Sequence, residues 1–183
     1  MKQQIRTGMF ETNSSSVHAL IIPMDERDDE IPKIIYVLHG DYDWDFRRYY
    51  HPNDNLSYLC QGIFSATIYN GAPERPIEKR MATTEQIIRS FVKPFEDMGI
   101  EIRFFDDYFD VSDDATWHDN GCFDHSSEFM ETVYNELKDD FEKVKRFVFS
   151  GKLATANDNT DGYIEFLQHD VDPQFEEVLW KWN

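Results

Sequence analysis

Residues 6–23 read RTGMFETNSSSVHALIIP, and the change of character at their middle decides how the fold is read. From Arg6 to Ser16 the chain is mostly polar, with a Gly, an Asn and three consecutive Ser around Met9-Phe10. Asn and Ser bond their own backbone and favour turns and caps over strand or helix interiors. From Val17 to Ile22 the chain is apolar apart from His18, and Pro23 stops it. A short apolar run between turn signals predicts a strand over 17–22, entered through a loop rich in donors and acceptors.

Outward from that strand, Lys33–Leu38 is β-rich and ends near Gly40, predicting a second strand. Residues 41–58 are polar and aromatic and are expected to be irregular. Ile63–Tyr69 alternates and predicts a strand stopped by Asn70-Gly71. Ile87, Ile88, Phe91, Val92, Phe95 and Met98 share one helical face, so a helix is expected from Thr84 to Met98. Its signals are a capping-box spacing at Thr83 and Gln86, Pro94 as a kink, and Gly99 as a stop. Ile100–Phe105 alternates as a strand. Phe129, Val133, Leu137, Phe141 and Val144 place a long helix over about 127–147. A strand at Tyr163–Leu167 and a last helix opening at Asp172-Pro173 complete the reading. The order lacks βαβ alternation, which predicts one α+β domain over 1–183, mostly antiparallel, with two to three helices.

Fifteen Phe, nine Tyr and four Trp among 183 residues can fill a substantial core and argue against disorder. The net charge of −18 is uneven: residues 96–142 hold 16 Asp or Glu against 2 Lys or Arg, a local −14. Such a chain is a poor binder of phosphate backbones or anionic membranes, and its charge favours a basic partner or serves solubility alone. Two cysteines, Cys60 and Cys122, make no disulfide framework. With no signal-peptide pattern and no apolar run of membrane-span length, a cytoplasmic protein is expected.

The stretch from Arg6 to His18 resembles the opening of a group of small proteins from bacteriophages and other bacterial mobile elements. These begin with a basic residue, a Gly or similar, then Phe-Glu-Thr-Asn-Ser-Ser-Ser and soon a His. Asp124-His125-Ser126-Ser127 and Ala156-Asn157-Asp158-Asn159 resemble later segments of the same group. The resemblance implies an origin in such an element and no particular chemistry.

Two functional readings compete. In the first, the carboxylates of 106–142 imitate nucleic acid. Residues three or four apart on a helix stand about 5–6 Å from each other, close to phosphate spacing along a strand. Asp113, Asp114, Glu131, Asp139 and Asp140 are the expected contact residues. The expected partner is a basic nucleic-acid-binding host protein, most concretely an RNA-guided nuclease, which makes the chain an anti-CRISPR inhibitor. In the second, Ser15, His18, Asp124, His125 and Asp158 form the polar site of a small hydrolase or ligand-binding module, since Ser, His and Asp can supply a nucleophile, a base and an orienting group. His118, Cys122 and His125 are the metal-ligand candidates that would assist it. No Gly-x-Ser-x-Gly elbow is present, and no cofactor is expected. Asp41-x-Asp43-x-Asp45 fails as a calcium loop, because Phe46 and Pro52 stand where Gly and Glu are needed.

Overall fold

The structure is a computed structural model, and it describes residues 16–25, 30–42, 45–69, 75–105, 107–111, 121, 123, 126–157 and 161–181. It is one α+β unit with a four-stranded antiparallel sheet and a two-stranded parallel one.

The strand expected at 17–22 is the centre of the larger sheet. β1 (Ser16–Pro23) is buried throughout. It pairs antiparallel with β5 (Lys152–Asn157) on one side and β6 (Glu176–Lys181) on the other. β3 (Arg47–Tyr49) closes the outer edge of β5, giving the order β3-β5-β1-β6. A strand covered on both faces has no need of a polar side, which is why Val17–Ile22 reads as a nearly continuous apolar run. Leu20 and Ile22 join the main core, while Val17, Ala19 and Ile21 pack with Ala154, Ala156, Tyr163 and Phe166 on the opposite face.

β2 (Ile34–Val37) and β4 (Glu101–Phe104) form the parallel pair, linked through α1 (Pro52–Ile68) and α2 (Ile77–Asp97). α2 runs through Pro94 and ends at the expected place. Gly99, at φ +88°, takes the left-handed conformation, and Ile100 N–H reaches back to the Phe95 carbonyl at 3.1 Å. The helix starts earlier than expected, directly after Pro76, so Thr83 lies inside it and bonds the Lys79 carbonyl instead of capping.

α1 corrects two expectations, the irregular 41–58 and the strand at 63–69. Pro52 and Ile68 bound a single helix, with His51 at its N-cap accepting from Asn53 N–H at 3.2 Å. Every residue from Asn55 to Ala66 is buried. Its polar residues point inward. Asn55 Nδ2 donates to the carbonyls of Phe147, Val148 and Gly151 at 3.0–3.3 Å and so caps the end of α5 (Phe141–Ser150). Gly62 is required by close packing, because a Cβ there would stand 2.6 Å from the Phe129 ring.

The long acidic helix is not continuous. It comprises α3 (Ser126–Phe129), a π-helical turn (Met130–Tyr134) and α4 (Asn135–Leu137), and it stops before Asp140 begins α5. The chain then differs from expectation twice more. Asp161–His169, which contains the expected strand, is a helix, α6. The expected last helix is the strand β6. No helix among the described residues is long and apolar enough to cross a membrane.

Candidate functional site

The acidic segment meets α2 along an aromatic seam. Phe91 lies 6.1 Å from Tyr134 and Phe95 lies 5.0 Å from Phe141, between ring centroids. Glu131, Glu136, Asp139, Asp140 and Glu142 are exposed beside this seam. They are not equivalent. Lys143, nearly buried, places its ammonium between Glu136 (2.5 Å) and Glu177 (2.9 Å). Glu142 pairs with Lys145, and Asp140 caps α5 by accepting from Lys143 N–H at 3.0 Å. Near the end of α2, Lys93 answers Glu96 and Asp97, while Arg103 answers Glu101. What remains is Asp107, Asp110, Glu131 and Asp139, all exposed and making no ion pair with a described residue. Asp139 raises the Tyr134 phenol, after burial, through its negative charge.

Among the expected contact residues, Glu131 and Asp139 are therefore surplus surface charge. Asp140 has a structural duty, and Asp113 and Asp114 lie outside the described residues. Because the helix carries a π-helical turn at Met130–Tyr134 and breaks at 138–140, its carboxylates do not keep one regular α-helical spacing. The single helix expected over about 127–147 is corrected to two pieces, 126–137 with its π-helical turn and Phe141–Ser150.

The polar residues of the second reading converge in part. Ser16, at the start of β1, is the register partner of Asn157, at the end of β5. On the same side of β1 as Ser16, His18 Nδ1 lies 2.9 Å from Tyr58 Oη, and the imidazole meets Phe123 edge-on at 5.3 Å. Thus the described parts of three sequence-distant segments come to one end of the larger sheet. Ser16 Oγ, and Tyr163 Oη in the second core cluster, are buried without a hydrogen-bond partner among the described residues. Yet His18 is only 1% exposed, and its ring is wedged between aromatic neighbours as a core residue would be. Ser15, His118, Cys122, Asp124, His125 and Asp158 lie outside the described residues. Among the described residues no group of three or more His, Cys, Asp or Glu could hold a metal ion.

Tyr58→Phe tests how His18 is held. The substitution leaves one imidazole nitrogen facing a buried ring edge, and a loss of about 1–3 kcal/mol is expected in urea titration. An unchanged midpoint would mean that the pair contributes nothing.

Sequence reasoning missed a second histidine network. His39 Nδ1 lies 2.7 Å from Gln61 Oε1, and Nε2 lies 3.0 Å from the Tyr108 carbonyl, with the His39 and Tyr108 rings stacked at 4.1 Å. Burial lowers the His39 pKa, and the contacts to Gln61 and Tyr108 and the charge of Asp107 only partly offset it. The unfolded chain therefore binds the proton more readily than the folded one. Stability from this group is complete above the ordinary pKa of 6.5 and falls as pH drops toward the lowered folded value. The urea midpoint should fall between pH 7.5 and 5.5 by less in His39→Gln than in the parent, and equal falls would remove His39 as the cause. Nothing in the sequence around His39 announces this, since its partners are 22 and 69 residues away.

Comparison with protein-family models, with curated proteins and with solved structures finds no match to this chain.

Proposed function

We propose that this chain is an acidic binding protein of mobile-element origin that occupies a basic site on a host nucleic-acid-handling protein. The observation that carries the proposal is the surplus of exposed carboxylates, Asp107, Asp110, Glu131 and Asp139, left after local ion pairs and caps are accounted for. They belong to the quarter of the sequence that holds −14 of the net −18. Fixed surplus charge in water steers a basic partner and suppresses acidic ones. Paired charge does neither, so the distinction between Glu131 and Glu136 matters more than the raw count. The most concrete target is an RNA-guided nuclease, whose positively charged channel and base-reading arginines offer the complementary surface. The resemblance of Arg6–His18 to phage and mobile-element proteins supports such a setting. Adding purified protein to a cleavage assay of an RNA-guided nuclease should suppress cutting in a dose- and salt-dependent way. Undiminished cutting across a panel of such nucleases would remove that target class.

A second reading has its own observation, the meeting of Ser16, His18 and Asn157 with Phe123 at one sheet end. In that reading the end is a hydrolytic or ligand-binding site. His18→Gln then removes activity on a phosphoester panel while nuclease inhibition survives. The acidic reading expects the reverse pattern from charge reversal at Glu131 and Asp139.

A further inference from the structure

At the end of the larger sheet opposite Ser16, a cleft of about 620 Å³ opens between the end of β1, the end of α6 and the turn into β6. Its Lys152 and Glu176 answer each other, at 2.9 Å and 3.1 Å to the two carboxylate oxygens, and Lys152 Nζ also donates to the Asp170 carbonyl. Glu176 takes a further bond from Asp172 N–H at 3.0 Å. The lysine is thus committed, which leaves the cleft unsuited to an anion. The surrounding side chains are exposed carboxylates, an apolar pair and the exposed His169. Asp25 and Asp172 are exposed carboxylates without an ion pair to a described residue, and Phe175, 59% exposed, offers an apolar face beside Pro173. An aliphatic stem ending in a cation suits that combination, by apolar contact, by charge, and by cation–π attraction to Phe175.

α5 is bonded both to the acidic segment and to the strands that border the cleft. Lys143 ties Glu136 to Glu177, the neighbour of Glu176, and Arg146 Nε donates to the Pro23 carbonyl at 3.0 Å. We propose that this cleft receives an arginine or lysine side chain of the basic protein that the acidic surface engages. The inference rests on the acidic-surface reading and adds to it a defined anchor, of the kind that dominates protein interfaces.

The test uses N-acetyl-arginine amide and N-acetyl-lysine amide as probes, followed by amide chemical shifts of the full chain. Shifts should concentrate at residues 24, 25, 152, 169–172 and 174–176. Asp25→Asn with Asp172→Asn should weaken them about tenfold, as should Phe175→Ala alone. Asn at 172 keeps the oxygen that accepts from Gln174 N–H, so the turn is preserved. Shifts spread over Asp107, Asp110, Glu131 and Asp139 to the same degree would overturn the cleft as a site. With an identified basic partner, three outcomes separate the ideas. If cleft variants and the charge reversal of Glu131 and Asp139 both weaken binding, the proposal stands. If only the charge reversal does, the cleft is overturned and the acidic surface survives. If neither does, both fall.

Discussion

Asn55→Asp is expected to destabilise the protein by about 3–5 kcal/mol at neutral pH, because it buries a charge against groups that repel it. The amide of Asn55 is fully buried and donates to the carbonyls of Phe147, Val148 and Gly151, where α5 ends and β5 is about to begin. A carboxylate has no proton to offer those oxygens. Its own oxygens would face them inside the core. The side-chain shape hardly changes, so packing cannot be blamed for the effect. For a chain of this length the thermal midpoint should drop by about 10 °C. Burial against those carbonyls raises the folded pKa of the new acid above its unfolded value, so stability is retained at low pH and lost as pH rises through the folded pKa. Partial recovery at pH 5 is therefore part of the expected result. Equal midpoints for the parent and the Asn55→Asp variant at pH 7 would mean that α1 does not cap α5.

Charge reversal at the surplus carboxylates should act on binding and leave folding alone. Glu131→Lys with Asp139→Lys changes two exposed side chains that make no ion pair with a described residue, so stability should move by no more than about 0.5 kcal/mol per site. Binding to the basic partner should fall at least tenfold, with most of the salt dependence lost along with it. Asp140 is left in place in this variant. It caps α5, and replacing it would mix a cap loss of about 1 kcal/mol with the charge effect. The control is Glu136→Gln, which removes one of the two carboxylates that Lys143 answers and leaves Glu177 paired with it. It should affect stability more than binding, the opposite of the double reversal.

The elements that were legible in the sequence each carry one dominant signal. β1 is an apolar run between a polar stretch and Pro23, and α2 has a polar face and a clear stop at Gly99. α1 was illegible because it is enclosed by other elements. Asn55, Ser57, Gln61 and Ser65 look like surface positions in sequence, yet each is buried and bonded inside the fold. Periodicity cannot reveal a helix without a solvent face. The C-terminal misreading has a different cause. Asp172-Pro173 does open a capped turn, with Gln174 N–H on the Asp172 carboxylate, but pairing of Glu176–Lys181 with β1 overrides its continuation as a helix. A cap reports a start and says nothing of length.

The candidate sites divide in the same way. Charge asymmetry was visible by counting, and the local helical pairs of Lys93 and Lys145 follow from spacing, but Lys143 answers Glu136 and Glu177, partners that only the fold selects. That Ser16 and Asn157 meet was not legible in the sequence, because only the β1–β5 register makes them neighbours. The burial of His18 is a consequence of its place in a central strand, which turns a residue that looks catalytic in sequence into one packed among Tyr58 and Phe123.

The most direct test is affinity capture from a bacterial lysate with the tagged full chain and its Glu131→Lys, Asp139→Lys variant, at low and high salt, with the bound proteins identified. A nucleic-acid-binding protein that the parent retains at low salt, releases at high salt, and that the variant fails to retain is the predicted result. Equal retention by parent and variant, or a partner held just as firmly at high salt, would contradict the acidic surface as the functional one.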